Sequence, residues 1–375
     1  MQHRTWVEIS TTAIKENITN YRKVLPKGVK IMAVVKANAY GHGRDICAGT
    51  AIKSGVDYLA VFTMEDAVIL RKNNKSIPIL VLKQIDVQDI KIAQNLNIDI
   101  TISSLPVLKE VIKFNNKNIS KKNLNIHLKI DSGLSRQGFL LDEVKNVVGL
   151  LNKNIKIKGL YTHFTGAESK KFNSYTQSQV QEFLIWAKAF EDIGYLPILH
   201  TSATSGPLLL NVLAFDMVRL GIGMYGLWPS SEIKNIMEKK LTLKPALSWK
   251  TVVSEVKTIL PDTGVAYEAS FITNKKTKIA VLPIGYWDGL PRSATNNIDV
   301  LIRGHRCRLL GRVMMNMCIV DVNNVPNVIP GDEVVIIGHQ GKETISADEM
   351  AICAGTINYE IVTRINPEIP RIAIK

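Results

Sequence analysis

Eight short apolar runs with room for helices between them, then β-rich runs broken by glycine and proline, predict two domains. The first is an N-terminal (β/α)8 TIM-type barrel and the second a mostly β C-terminal domain. A third observation agrees: Lys36, Arg136, His163, Ser202 and Arg219 stand at or just past the C-terminal ends of the proposed strands. That is the face on which such barrels build their sites.

In chain order, a short strand is expected near Val7 to Ser10. Behind Ser10, Thr11 and Thr12 as candidate N-caps, Ile14, Ile18, Tyr21 and Leu25 recur at helical spacing. Strand-like runs follow at residues 31–35, 58–62, 77–82, 98–102, 124–130, 156–161, 197–200 and 216–220, with helical stretches such as 65–71, 105–114, 142–151 and 175–193 between them. Alternation alone also suits a doubly wound sheet, but eight units favour the barrel. Residues 228–244 change character, from W-P-S-S to a charged stretch ending in L-T-L-K-P, and read as a connection. The domains are therefore placed at 1–235 and 236–375, with residues 1–10 open to packing with the second. Beyond Ser248, β runs are expected at 251–260, 278–283, 306–312, 318–322 and 333–338, interrupted by one helix behind an S-x-x-E capping box at Ser346 and Glu349.

Composition narrows the function classes. The 375 residues are 46% hydrophobic and 21% charged, an ordinary globular balance. No 18-residue apolar run predicts a membrane span, and the N-terminus lacks a signal-peptide core, so the cytoplasm is expected. Cys47, Cys307, Cys318 and Cys353 show no C-x-x-C spacing, which argues for neither a metal site nor a disulfide framework. The net charge of +14 comes mostly from lysines scattered among asparagines, without interleaved aromatics. This fits attraction for anionic ligands better than nucleic-acid binding.

The most informative stretch is A-V-V-K-A-N-A-Y-G-H-G, residues 33–43. It delivers Lys36 to the end of a buried strand and then turns on Gly41 and Gly43. Desolvation there lowers an ammonium pKa, which suits covalent attachment to an aldehyde cofactor; a plain surface lysine is the alternative. Further on, V-R-L-G-I-G-M-Y-G holds a formal G-x-G-x-x-G from Gly221 to Gly226, but Trp228-Pro229 follows where a dinucleotide motif needs a helix. Close backbone approach to a phosphate is the idea that survives.

V-K-A-N-A-Y-G-H-G resembles the pyridoxal-phosphate lysine motif of the alanine racemases, with further matches spread to Tyr359. The resemblance implies that Lys36 carries pyridoxal 5'-phosphate, that Tyr40, Ser202, Tyr359 and the backbone at Gly221 and Ile222 hold its phosphate, and that Arg219 faces the pyridine nitrogen. An arginine is no useful proton donor at neutral pH, so the ring remains a modest electron sink. Read without the family, Arg219 also suits a rim salt bridge, and a lone histidine such as His163 is more often structural. The resemblance further implies two bases, Lys36 and Tyr267, with His163 beside the tyrosine and the tyrosine supplied by the other subunit of a homodimer. Arg136 would contact the substrate carboxylate, Met315 would offer its backbone amide, and Lys129 matches a lysine carbamylated in many members. Tyr286, Arg292 and Arg312 resemble an entrance gate. Asn316 departs from the family's usual aspartate, Ser135 from a glycine and Thr201 from an asparagine.

The expected activity is interconversion of L- and D-alanine, supplying D-alanine for peptidoglycan, with no metal, nucleic-acid or membrane partner. A broader racemase accepting serine or larger side chains is the nearest alternative. A barrel-type decarboxylase and a non-catalytic cofactor binder are disfavoured by Arg219 and by the second domain.

Overall fold

The computed structural model describes residues 4–117, 124–151, 155–166, 174–201, 204 and 215–375. The chain divides into two compact units, one of Met1–Ala13, Asn38–Ile46 and Pro245–Lys375, the other of Ile14–Ala37 and Cys47–Lys244.

After an opening strand β1 (Thr5–Ser10), the barrel unit holds eight parallel strands: β2 (Lys30–Val34), β3 (Tyr58–Val61), β4 (Ile79–Gln84), β5 (Asp99–Ile102), β6 (Asn125–Lys129), β7 (Lys156–Tyr161), β8 (Ile198–His200) and β9 (Met217–Leu220). They pair in the order β8-β7-β6-β5-β4-β3-β2-β9. The ring is nearly closed between β8 and β9, where the Asp216 amide donates to the Leu199 carbonyl at 3.1 Å and the Asp216 carboxylate accepts the Leu199 amide at 2.8 Å. Strands buried on both faces need near-continuous apolar sequence. Ile31, Met32, Ala33, Leu59, Ala60, Ile79, Leu80 and Ile100 accordingly have no exposed surface. Helices Thr11–Val24, Arg44–Lys53, Met64–Asn73, Leu105–Lys117 and Ser174–Asp192 are among those that alternate with the strands. Of the three candidate caps of the first helix, Ser10 bonds into it, its hydroxyl accepting the Ala13 amide at 3.1 Å.

The second unit is mostly β. Its main sheet runs 305–308, 299–302, 333–340, 247–252, β1 and 371–374, with 343–345 added to 333–340. A three-stranded sheet joins 255–259, 277–282 and 318–321. Three expectations need correction. The run at 251–260 is two strands, Leu247–Val252 and Glu255–Ile259, belonging to different sheets. Two helices, not one, interrupt the strands: Ala347–Ala354, capped by Ser346, and Asn358–Thr363. The expected connection holds a helix, Ser231–Met237, whose cap Ser230 accepts the Ile233 amide.

Candidate active site

Lys36 comes directly after β2, and Val35 before it donates to the Ala60 carbonyl at 2.8 Å. The chain then does something the sequence did not announce. Ala37, Asn38, Ala39 and Tyr40 all adopt left-handed backbone, with φ of 51°, 51°, 55° and 53°. Each such L-residue costs about 1–2 kcal/mol, so four in succession persist only where the surroundings over-determine them. The β-rich unit shows what holds the turn: Gly43 donates to the Asn38 carbonyl at 2.9 Å, the Asn38 side chain accepts the Arg44 amide at 2.9 Å, and Arg371 Nε donates to the Gly41 carbonyl at 3.0 Å. Gly41 is required, because its φ is +81° and a Cβ there would lie 1.9 Å from the Val362 carbonyl oxygen. The Tyr40 ring lies 6.1 Å from the Tyr359 ring, which stands on helix Asn358–Thr363.

Within the barrel unit, positive charge accumulates at the C-terminal ends of the strands. Burial lowers the Lys36 pKa, and Arg136 and Arg219 lower it further. Burial and the same two arginines bring Lys129 down to about 8, although Asp131 opposes the shift. His163 falls to about 3 through burial and then through Arg219, Arg136, Lys129 and Lys36, so its imidazole is neutral. Such a cluster asks for an anionic ligand.

Arg219 is fixed on all sides. Its Nη1 donates to the His200 carbonyl at 2.6 Å and to His200 Nδ1 at 3.0 Å. Its Nη2 donates to the carbonyls of Thr162 at 2.7 Å and Thr201 at 2.9 Å, with His163 Nδ1 at 3.4 Å. The guanidinium also lies 5.3 Å from the centre of the Tyr161 ring, and Lys129 Nζ lies 5.7 Å from the same centre.

Two contributors escaped the sequence reading. Asp131 organises the loop that carries Arg136: its carboxylate accepts the amides of Gly133 at 3.0 Å, Ser135 at 2.9 Å and Arg136 at 2.8 Å. Its place in I-D-S-G-L-S-R, a carboxylate ahead of a glycine turn, was the available signal. The hydroxyl of buried Thr204 accepts the amides of Gly221 at 3.3 Å and Gly223 at 3.4 Å, at the start of the turn Ile222–Tyr225. Ser202 lies outside the described residues.

The remaining expected residues belong to the β-rich unit. Tyr267 is 68% exposed, on a short turn where Ala266, Glu268 and Ala269 have φ of 59°, 60° and 45°. Arg312 braces that turn through Glu268 at 2.6 Å, and its amide donates to Ser270 Oγ at 3.0 Å. The amides of Tyr286 and Trp287 donate to the carbonyls of Met314 and Met315, both at 3.0 Å, so Tyr286 and exposed Met315 sit on one backbone frame. Tyr286 and Arg292 line a cavity of about 580 Å³ together with Thr356, Glu360 and Arg364. Among the described residues no group of three metal-binding side chains occurs, and no helix is long and apolar enough to cross a membrane.

Comparison with known proteins agrees with the fold. The family models for the alanine racemase N-terminal and C-terminal domains match residues 9–229 and 246–373. An alanine racemase of Halothermothrix orenii is 38% identical over 98% of this chain and 96% of its own length. That of Methanococcus maripaludis is 37% identical over 99% of both. An alanine racemase crystal structure from Bacillus anthracis, with bound L-Ala-P, superposes with a TM-score of 0.92 at 34% identity, covering 100% of this chain and 96% of that one. One from D-cycloserine-producing Streptomyces lavendulae gives 0.93 at 31% identity, covering 100% and 98%. The eight-stranded barrel, the β-rich second unit and these full-length similarities together place the chain in the alanine racemase family.

Proposed function

We propose that the chain interconverts L- and D-alanine with pyridoxal 5'-phosphate, moving the Cα proton between two bases on opposite faces. The observation that carries this reading is Lys36: an amine just past a buried parallel strand, its charged form disfavoured by burial and by Arg136 and Arg219. The residues present fit the cofactor. The cationic cluster suits a phosphate, and the Gly221 and Gly223 amides converge on the Thr204 hydroxyl in a turn where side chains are excluded. A Cβ on Gly223 would lie 2.3 Å from the Tyr21 hydroxyl. When bound, the cofactor supplies an aldehyde that links to amines and a ring that delocalises the electron pair left at Cα. Lys36, Thr204, Arg219, Gly221 and Ile222 of the barrel unit would hold it, with Tyr40, Ser202 and Tyr359 matched to the same role by sequence.

The proton work falls to the chain's own groups. Neutral Lys36 takes or returns the Cα proton on one face. The Arg219 guanidinium, 3.4 Å from His163 Nδ1, favours a lone pair on that nitrogen and hence the ring proton on Nε2. An Nε2–H aimed at a phenolic oxygen favours the phenolate, which is how His163 would prepare Tyr267 as the second base. We assign Tyr267 to the partner subunit's site in a homodimer; its exposure in the single chain supports this. Arg136 would fork the substrate carboxylate and Met315 would offer its amide. Tyr286, Arg292 and Arg312 would line the entrance. A carbamate on Lys129 would set an anion among the cations. Arg219 keeps its charge and has no proton to spare for a ring nitrogen, which limits side reactions at Cα. Production of D-alanine for peptidoglycan in the cytoplasm is the role this chemistry serves.

Borohydride reduction of the loaded enzyme and peptide mapping test the reading. The cofactor should be found on Lys36, and cofactor fixed to any other lysine overturns the assignment. Racemisation assays across the standard L-amino acids separate a strict alanine enzyme from a broader one, the question that Asn316, Ser135 and Thr201 raise.

A further inference from the structure

Beneath Arg219 the barrel interior contains polar side chains that the proton chemistry does not use. His200, His127 and Asp99 come from three different strands and are 0%, 0% and 1% exposed. Barrel interiors are ordinarily filled by branched apolar residues, so a buried line of three titratable groups needs a reason.

The contacts along this line run one way. A guanidinium has no acceptor, so His200 Nδ1, 3.0 Å from Arg219 Nη1, must accept, and the ring proton is on Nε2. His200 Nε2 lies 3.0 Å from His127 Nδ1, which accepts in its turn, placing the His127 proton on Nε2 as well. That nitrogen faces Asp99 Oδ2 at 3.4 Å, off the line of a full hydrogen bond but within reach of the carboxylate charge. Asp99 is itself anchored by Asn125 Nδ2 at 2.9 Å and Lys158 Nζ at 2.8 Å. The fold makes room for the line. Tyr161 stacks flat on His200, centroids 4.7 Å apart and planes 9° apart. Residue 159 is glycine where a Cβ would lie 2.1 Å from His127 Nδ1.

We propose that Asp99 is a positioning residue for Arg219: its carboxylate charge, 3.4 Å from His127 Nε2, favours the Nε2–H tautomer in both rings, so that His200 presents a lone pair to the guanidinium. Burial keeps both rings neutral. Asp99 is pushed up by its own burial, but His127 and Lys158 more than offset this and keep it ionised. With the tautomers reversed, an N–H would confront the guanidinium where no water can intervene, a costly loss of an acceptor. The inference rests on the reading of Arg219 as the residue that faces the cofactor ring.

Nitrogen-15 NMR of histidine-labelled, cofactor-free protein reads the tautomers directly. Both rings are expected in a single Nε2–H form in the wild type. A proton on Nδ1, or averaging between forms, in either ring overturns the proposal, and this measurement decides even where a variant fails to fold. In Asp99→Asn the two rings should exchange between tautomers. Its cofactor-loaded form should lose about tenfold in kcat with KM for alanine little changed. Fixed tautomers and unchanged kcat in Asp99→Asn, even with a lower Tm, overturn it. Arg219→Lys separates the two layers. Loss of turnover in that variant alone removes the Asp99 relay and leaves the reading of Arg219 standing; unchanged turnover in both removes the two together.

Discussion

The barrel unit and the β-rich unit carry their candidate chemistry in opposite ways. In the barrel, Lys36, Lys129 and His163 are buried or half-buried and have their pKa values lowered by burial and by neighbouring cations, and Arg219 is held by several hydrogen bonds. In the β-rich unit, Tyr267, Tyr286 and Met315 are 68%, 42% and 56% exposed, on turns set by backbone bonds and by the Arg312–Glu268 ion pair. The barrel thus has its electrostatics organised in advance, as catalysis by fixed dipoles requires. The second unit displays its expected site groups at the surface. That contrast supports a division of labour in which each site takes its charges from one chain and its exposed base from another.

The sharpest way to break this comparison is to disable one unit at a time. Lys36→Ala and Tyr267→Phe should each be nearly inactive. When the two are dissociated and reassociated together, random pairing makes about half the dimers mixed, each with one intact site, so about a quarter of wild-type activity should return. No recovery, with heterodimers shown by mass, means that both bases come from one chain.

A backbone lesion comes next in size. Gly41→Ala would place a methyl against the Val362 carbonyl at a positive φ, and should lower stability by about 3–5 kcal/mol. Because the same turn follows Lys36, cofactor binding should weaken as well. Denaturant unfolding of the cofactor-free protein measures the first effect and absorbance titration the second. A variant of unchanged stability would show that the turn can relax.

The cationic character of the barrel predicts a pH dependence. Lys129 gives up its proton near pH 8 in the folded chain and near 10.4 when unfolded. Between those values the unfolded state binds more protons, so this group's contribution to stability rises with pH. In bicarbonate-free buffer Lys129→Met should therefore exceed the wild type by about 3 kcal/mol below pH 8, with the gap closing towards pH 10.5. Added bicarbonate should stabilise the wild type and leave the variant unaffected, if a carbamate forms on Lys129. A constant gap across pH removes the charge explanation.

How much of this was readable in the chain follows the same division. The barrel strands were legible because burial on both faces writes an apolar run, and Lys36 stood out against it. Helix Asn358–Thr363 was hidden by its own residues, since I-N-Y-E-I-V-T is short and β-branched and tertiary packing decides its state. The left-handed turn at Ala37–Tyr40 was invisible for a related reason: Ala and Tyr carry no signal for positive φ, and the contacts that enforce it come from Arg371 and Val362, over three hundred residues away. Asp99, His127 and His200 each read as an isolated polar residue in a strand. Only the closing of the barrel brings them into line.

Ser135 offers the smallest and cleanest test of what the backbone stores. It stands where the family usually has glycine, and its φ is +55°. Its amide donates to Asp131 at 2.9 Å and its neighbour's amide at 2.8 Å, so the conformation is imposed by the loop that carries Arg136. Glycine adopts this geometry without steric cost, although it loses more entropy on folding. The strain is the larger of the two, so Ser135→Gly should gain about 0.5 kcal/mol and raise Tm by about 1 °C. The Asp131 bonds need only the amide and persist in the variant, so KM for alanine should stay within twofold of wild type, as kinetics and calorimetry can both check. A variant that loses stability would show that the Ser135 side chain holds the loop, and a large rise in KM would show that Arg136 depends on it.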